Sequence, residues 1–215
     1  MHTLLAGALI AGLTLGYPVV VTTAPTPADG LEAIQMRAER ATNDRIRAID
    51  RALDRLESNE SLTEAHRETI TSTLTAHRAA MQTLQADIAA ESQVGAALES
   101  YQSIFTDYRV FVVSLPQALY AAGADRLTET TIPRLEQVYD TLEDNDIEGL
   151  AELRAAIDEA AERADGIADA ALAVEPSDYN TDPTVLAELR LELRDATAAA
   201  RRALEEARDV WEEKR

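Results

Sequence analysis

Apolar residues recur along this chain at alternating intervals of three and four, the spacing of helices that bury one stripe each. The stripe richest in aromatic side chains runs Val94, Leu98, Tyr101, Phe105, Tyr108, Val112 and Leu115. It opens the stretch Tyr101 to Leu127, which holds five of the chain's nine aromatic residues and reads as the central helix.

Around it the other stripes fall in order. Leu31, Ile34, Ala38 and Ala41 form one, and Ile46, Ile49, Leu53 and Leu56 a second, offset by one residue. They predict a first helix whose stripe twists or changes partner midway. Asn59, tolerant of a left-handed cap, is the expected stop. Ser61-Leu62-Thr63-Glu64 has the form of a capping box, and Ile70, Leu74, His77, Met81, Leu84 and Ile88 follow as the stripe of an antiparallel second helix. After a break near Ser92 comes the aromatic helix. Ser114-Leu115-Pro116-Gln117 inside it is a second capping-box form, which implies a kink or a reversal. No glycine lies between Val110 and Ala122, so a kinked spine over residues 94–143 is the expectation, with another bend at Thr131-Ile132-Pro133.

The next helix opens at Asn145 or Asp146 and carries Leu150, Leu153, Ile157, Ala160, Ala164, Ile167, Ala171 and Val174. Glu175 to Pro183 is a loop dense in turn formers. Asp182-Pro183 begins the last helix, striped by Leu186, Leu189, Leu193, Ala196, Ala200, Ala203, Ala207 and Val210, with Trp211 at the base of the bundle. The fold class is therefore all-α: an elongated antiparallel bundle of long amphipathic helices with seams like those of coiled coils. Two three-helix units sharing the kinked helix would divide it into halves 31–116 and 117–215.

Composition adds a destination. Residues 1–28 contain no Asp, Glu, Lys or Arg, Leu4 to Val21 is apolar, and Thr26-Pro27-Ala28 offers small residues for cleavage. This is the pattern of a signal peptide for the general secretory route, or of an uncleaved anchor; either places residues 29–215 outside the cytoplasm or at the cell surface. Acidic residues outnumber basic ones 39 to 20, for a formal charge of −19. A surface so acidic repels nucleic acid, and membrane contact is expected only through an uncleaved N-terminal segment. With no cysteine, neither disulfides nor thiolate metal sites can form.

The candidate chemistry is sparse. His77 sits on an apolar seam, as a core histidine or as a ligand or pH switch. His66 lies about 16 Å further along the helix, too far to share an ion. Neither histidine has the preceding acid of a di-iron bundle, so no metal or cofactor is expected. Asp107 and Arg109 flank the aromatic core as an ion pair, as surface charges or as functional groups. A reversal at Pro116 would instead set Arg109 against Asp125. Val110 to Ala124 is uncharged, but at about 22 Å it falls short of a ~30 Å hydrocarbon core, so it reads as buried. No nucleophile motif, zinc motif or phosphate loop occurs, and no catalytic residue is assigned.

The pieces Ile104-x-x-Asp107-Tyr108-Arg109-Val110-Phe111, then Pro116, then Ala124-Asp125-Arg126 resemble a pattern in uncharacterised secreted α-helical proteins of actinobacteria. Leu62-Thr63 and Pro176-x-x-Tyr179 are similar to that group as well, so the resemblance covers most of the chain beyond the leader. Phe111 departs from it, tyrosine being commoner there, and so does Pro133. The resemblance implies secretion and a helical fold, and carries no activity.

Three functions follow as expectations. The first is a non-enzymatic structural or interaction module with a protein partner or self-association through helical surfaces. The second is a small-ligand or metal-binding bundle with a pocket at Tyr101, Tyr108 and His77. The third, resting on Val110 to Ala124 alone, is a membrane-active helical protein.

Overall fold

The computed structural model describes residues 30–213, and the expected leader 1–28 lies outside them. The chain is an all-α helical bundle: α1 (Leu31–Glu57), α2 (Glu64–Ala90), α3 (Val94–Thr106), α4 (Ser114–Arg126), α5 (Ile132–Asp144), α6 (Ala151–Ala164), α7 (Ile167–Ala173), α8 (Pro176–Thr181) and α9 (Val185–Glu213). A π-helical turn, Leu127–Thr131, joins α4 to α5.

α1 and α2 form an antiparallel hairpin fastened at both ends. At one end the Gln35 amide donates to the carbonyls of Ile88 and Glu91, each at 3.1 Å. At the other the Arg67 guanidinium donates to the carbonyls of Leu56, Asn59 and Leu62, satisfying acceptors that the end of α1 leaves open. α3 closes this end of the molecule over Ile34, Ala38, Ala41, Met81, Ile88, Ala97, Tyr101 and Ile104.

The offset in the first stripe has a specific cause. The buried positions of α1 run Ile34, Ala38, Ala41, Arg45, Ala48 and Ile49, without interruption, but one of them is an arginine. Arg45 is 7% exposed, its guanidinium carbon 4.5 Å from the Phe105 ring centroid and 5.0 Å from that of Phe111. Its Nη1 donates to the Ala41 carbonyl at 2.9 Å. Burial pulls its pKa down to about 10, against the opposing pull of Tyr101 and Asp44, so it remains a cation at neutral pH.

Several local expectations are corrected. α1 ends at Ser58 in a right-handed conformation, not at a left-handed Asn59, whose side chain instead accepts from the Ser61 amide. The N-cap of α2 is Thr63, accepting from the His66 amide at 3.3 Å, while the Ser61 hydroxyl accepts from Thr130. In α3 the buried line is Ala97, Tyr101 and Ile104; Phe105 and Tyr108 are half-buried, and Val94 and Val112 reach 36% exposure.

The largest correction concerns the spine. α3 stops at Thr106, and the chain passes through residues 107–113 with Arg109 left-handed at φ 47° before α4 begins. Pro116 thus falls in the first turn of a new helix, where its missing N–H costs nothing, and it neither kinks nor reverses the chain. The continuous element is α4, the π-turn and α5. Pro133 accounts for the widening, because it cannot donate to the carbonyl four residues back and the preceding turn loosens into i→i+5 geometry. The stretch read as one helix over Leu150 to Val174 is two, divided at Asp165 and Gly166; the glycine takes φ 71°, conformational space open to it at little cost. The loop at 175–183 holds the short α8, whose capping box joins Glu175 and Asp178.

α6 and α9 lie antiparallel, with Arg202 bonded to Glu159 at 2.8 Å near the middle. Ala160, Ala164, Ala196, Ala199, Ala200, Ala203 and Ala207 are all buried there, with Leu153 and Ile157, so the helices approach closely. α5 completes this end, and α4 with α7 fills the middle.

Candidate functional site

α4 is the most enclosed helix of the molecule: Ser114, Leu115, Gln117, Ala118, Ala121, Ala124 and Asp125 are all buried. α7, α9 and α2 each cover part of it. Gly123 permits the close approach of α9, because an added Cβ would stand 3.0 Å from Leu193 Cδ2. Being covered on more than one side is why Val110 to Ala124 carries no charge. Among the described residues no helix is long and apolar enough to cross a membrane.

Where α2 faces the start of α4, the packing leaves a cleft of about 180 Å³. Ile70, Leu74 and Leu172 supply apolar wall; Thr69, Thr73, His77, Ser114 and Gln117 supply polar groups. His77 Nδ1 and Ser114 Oγ are 3.0 Å apart. The Tyr108 ring meets the imidazole edge-on, with centroids 5.6 Å apart and planes at 86°. Burial depresses the His77 pKa below its usual value, so the ring is neutral at pH 7 and can both donate and accept. The Gln117 amide is spent on the Val174 carbonyl and holds the α7–α8 connection against α4.

A serine beside a neutral histidine is the start of a nucleophilic pair, but acyl transfer also needs donors for the oxyanion. The amides after Ser114 do not supply them. Leu115 N–H bonds the Val110 carbonyl at 3.0 Å, Gln117 N–H bonds that of Val113 at 2.9 Å, and Pro116 has none. Glu175, at the cleft mouth, is held by the α8 capping box. The arrangement is suited to hydrogen-bonding a small molecule.

A second polar cluster lies at the other end of α4. Asp125, 2% exposed, accepts from the Thr63 amide at 2.8 Å and pairs with His66 Nδ1 at 2.9 Å. His66 Nε2 is 3.1 Å from the exposed Asp169. Partial burial alone would lower the His66 pKa; the hydrogen bonds to Asp125 and Asp169 outweigh it and raise the pKa above the ordinary value. The cluster ties α2, α4 and α7 together; neither it nor any other group of three or more such side chains among the described residues is arranged to hold a metal ion.

Of the residues singled out in the sequence, the structure brings His77 and Tyr108 together. Tyr101 packs against Phe105 inside the α1–α3 core, with ring centroids 5.1 Å apart, and of the three residues expected to line a pocket only His77 lines the cleft. Asp107 is exposed and accepts from the Thr106 hydroxyl at 2.7 Å. Arg109 meets neither Asp107 nor Asp125: its Nε donates to Asn180 Oδ1 at 2.9 Å, and its guanidinium lies 5.5 Å from the Tyr179 ring centroid. Those contacts fasten α8 onto the 107–113 crossing. Sequence reasoning missed the role of Ser114, though its capping-box form marked it as a helix start. Comparison of the chain with family models, characterised proteins and solved structures found no match.

Proposed function

We propose that this chain is an exported, non-enzymatic binding module whose ligand is a small uncharged polar molecule held in the cleft at His77. One observation carries the reading: His77 occupies a seam position of α2, yet it opens onto a cleft with Ser114, Thr69 and Thr73 instead of a packed core. A neutral imidazole, three hydroxyls and an aliphatic wall select for hydrogen bonding without net charge. The amides that follow Ser114 are committed to backbone bonds, which favours binding over turnover. Export rests on the pattern of residues 1–28.

Native mass spectrometry of the exported protein tests this reading. The wild type is expected to start at or within a few residues of Asp29 and to carry a small non-covalent adduct, absent from Thr73→Met, which fills the cleft from its exposed rim. A bare wild type, with His77 ring resonances indifferent to added acetamide, contradicts it. The same spectrum reports oligomeric state, and with it any self-association.

A further inference from the structure

We infer that a second cleft, lying against another side of α4, is a binding site for a single-chain amphiphile with an anionic carboxylate or phosphate head. The groove measures about 450 Å³, within the range of roughly 300–1,000 Å³ typical of small-molecule sites. Leu56 and Leu115 are buried in its floor, and Leu119 and Ala122 continue the apolar surface along α4. Three arginines converge on the rim: Arg55 from the last turn of α1, Arg126 from the last turn of α4 and Arg134 from the start of α5. No Asp or Glu lines the groove.

That charge pattern runs against the rest of the molecule. In a chain with 39 acidic and 20 basic residues, a surface site takes mostly negative charge by default. Arg78, Arg154, Arg163, Arg202 and Arg208 each face a carboxylate within 2.9 Å. Arg55, Arg126 and Arg134 make no ion pair or side-chain hydrogen bond with any described residue. Helix ends account for two of them singly, since a cation is favoured at a C-terminus. That preference does not account for a third at the start of α5, or for their meeting over one apolar floor. Guanidinium forks match carboxylate and phosphate oxygens two at a time, and the leucine floor takes the alkyl chain.

Isothermal titration of the full chain, below micelle-forming concentrations, tests the assignment with four probes. Dodecanoate and dodecyl phosphate are expected to bind one per chain. Dodecanol, with the tail and no charge, and inorganic phosphate, with the charge and no tail, are expected to bind at least about ten-fold more weakly, the loss of one to two charge-assisted bonds or of the buried chain. Arg126→Gln with Arg134→Gln is expected to weaken dodecanoate about a hundred-fold, at about ten-fold for each charge-assisted contact. Arg201→Gln on α9 removes the same kind of charge elsewhere and is expected to leave affinity unchanged. The arginine rim is exposed, so these variants retain the fold, checked by circular dichroism. Dodecanol binding as tightly as dodecanoate, or an unchanged double variant, overturns the anionic site. Inorganic phosphate binding as tightly as dodecyl phosphate overturns the amphiphile.

Discussion

Around α1, α2 and α3 the core sets large side chains, Ile34, Met81, Ile88, Tyr101 and Ile104, against Ala38, Ala41 and Ala97, with the charged Arg45 beside them. At the other end α6 meets α9 through Ala160, Ala164, Ala196, Ala200, Ala203 and Ala207. The first end fills its space with volume; the second removes space by bringing backbones together. Each route leaves little room. α4 lies between them, against helices of both kinds, and its two clefts open where those packings meet. The comparison shows where room is left in a helical bundle: as gaps between two well-packed ends.

The difference between the ends can be broken by mutation, and the largest effect falls at Tyr101. Tyr101→Ala should destabilise by about 3–5 kcal/mol, the range for large aromatic truncations in cores. Phe105→Ala and Tyr108→Ala should each cost less, since both rings are half-buried; chemical denaturation of the three variants gives the order. Equal losses would mean that the aromatic layer packs as one unit.

Asp125→Ala is next. It leaves the part-buried Thr63 amide unpaired and frees His66, at a cost of about 1–3 kcal/mol. The loss should be larger than for Asp169→Ala, because Asp169 is exposed and touches only His66 in this cluster. A cost for Asp169→Ala as large as for Asp125→Ala would locate the fastening at α7 instead.

Arg45→Met sharpens the account of the α1–α3 end. Two cation–π contacts at a desolvated site contribute about 1–2 kcal/mol each, against a desolvation cost of similar size and a buried Nε without a hydrogen-bond partner. The net change should lie within about 1 kcal/mol of zero, by thermal melting. A loss of several kcal/mol would show the guanidinium to be an organising element of that core.

The smallest effects are the histidine titrations, and they oppose each other. His66 has a raised folded pKa, so its stabilisation is present below the unfolded value near 6.5 and is lost as pH rises through the folded one. His77 has a lowered folded pKa, so stability falls as pH drops below about 6.5, where the unfolded chain takes up a proton that the folded ring refuses. Acidification from pH 7.5 to 5.5 should therefore destabilise His66→Gln relative to wild type and stabilise His77→Gln.

Much of this architecture was legible in the residues. The stripes of α2 and α9 match the buried positions Ile70, Leu74, Met81, Ile88 and Leu186, Ala196, Ala200, Ala203, Ala207, because alanine and branched aliphatics at fixed spacing have one stable use in a helix. Where the pattern misled, one residue was responsible each time. Arg45 fills a core position that hydrophobicity alone passes over. Pro116 looked like a kink because proline interrupts helices, but the interruption comes seven residues earlier, at a left-handed Arg109 that no propensity announces. His77 and Tyr108 were expected to meet, together with Tyr101, because all three lie on apolar stripes; the fold joins the first two and turns Tyr101 into the α1–α3 core. The arginine groove was not, because Arg55, Arg126 and Arg134 come from three segments that meet only in the fold. For the same reason His66 and Asp125 were each named, His66 against His77 and Asp125 against Arg109, but not as a pair.

Space exists beside α4, in two clefts, and is absent between α6 and α9. The same enlargement placed on both helices tests it most directly, by thermal unfolding of Ala122→Leu and Ala203→Leu. Ala203→Leu enters a seam with no room and should cost about 1–3 kcal/mol or more, as overpacking does. Ala122→Leu extends into the groove and should leave stability within about 0.5 kcal/mol of wild type, the usual span for surface changes. Equal losses at the two positions would contradict the account, for they would mean that α4 is packed as tightly as the seam and that no cleft lies beside it.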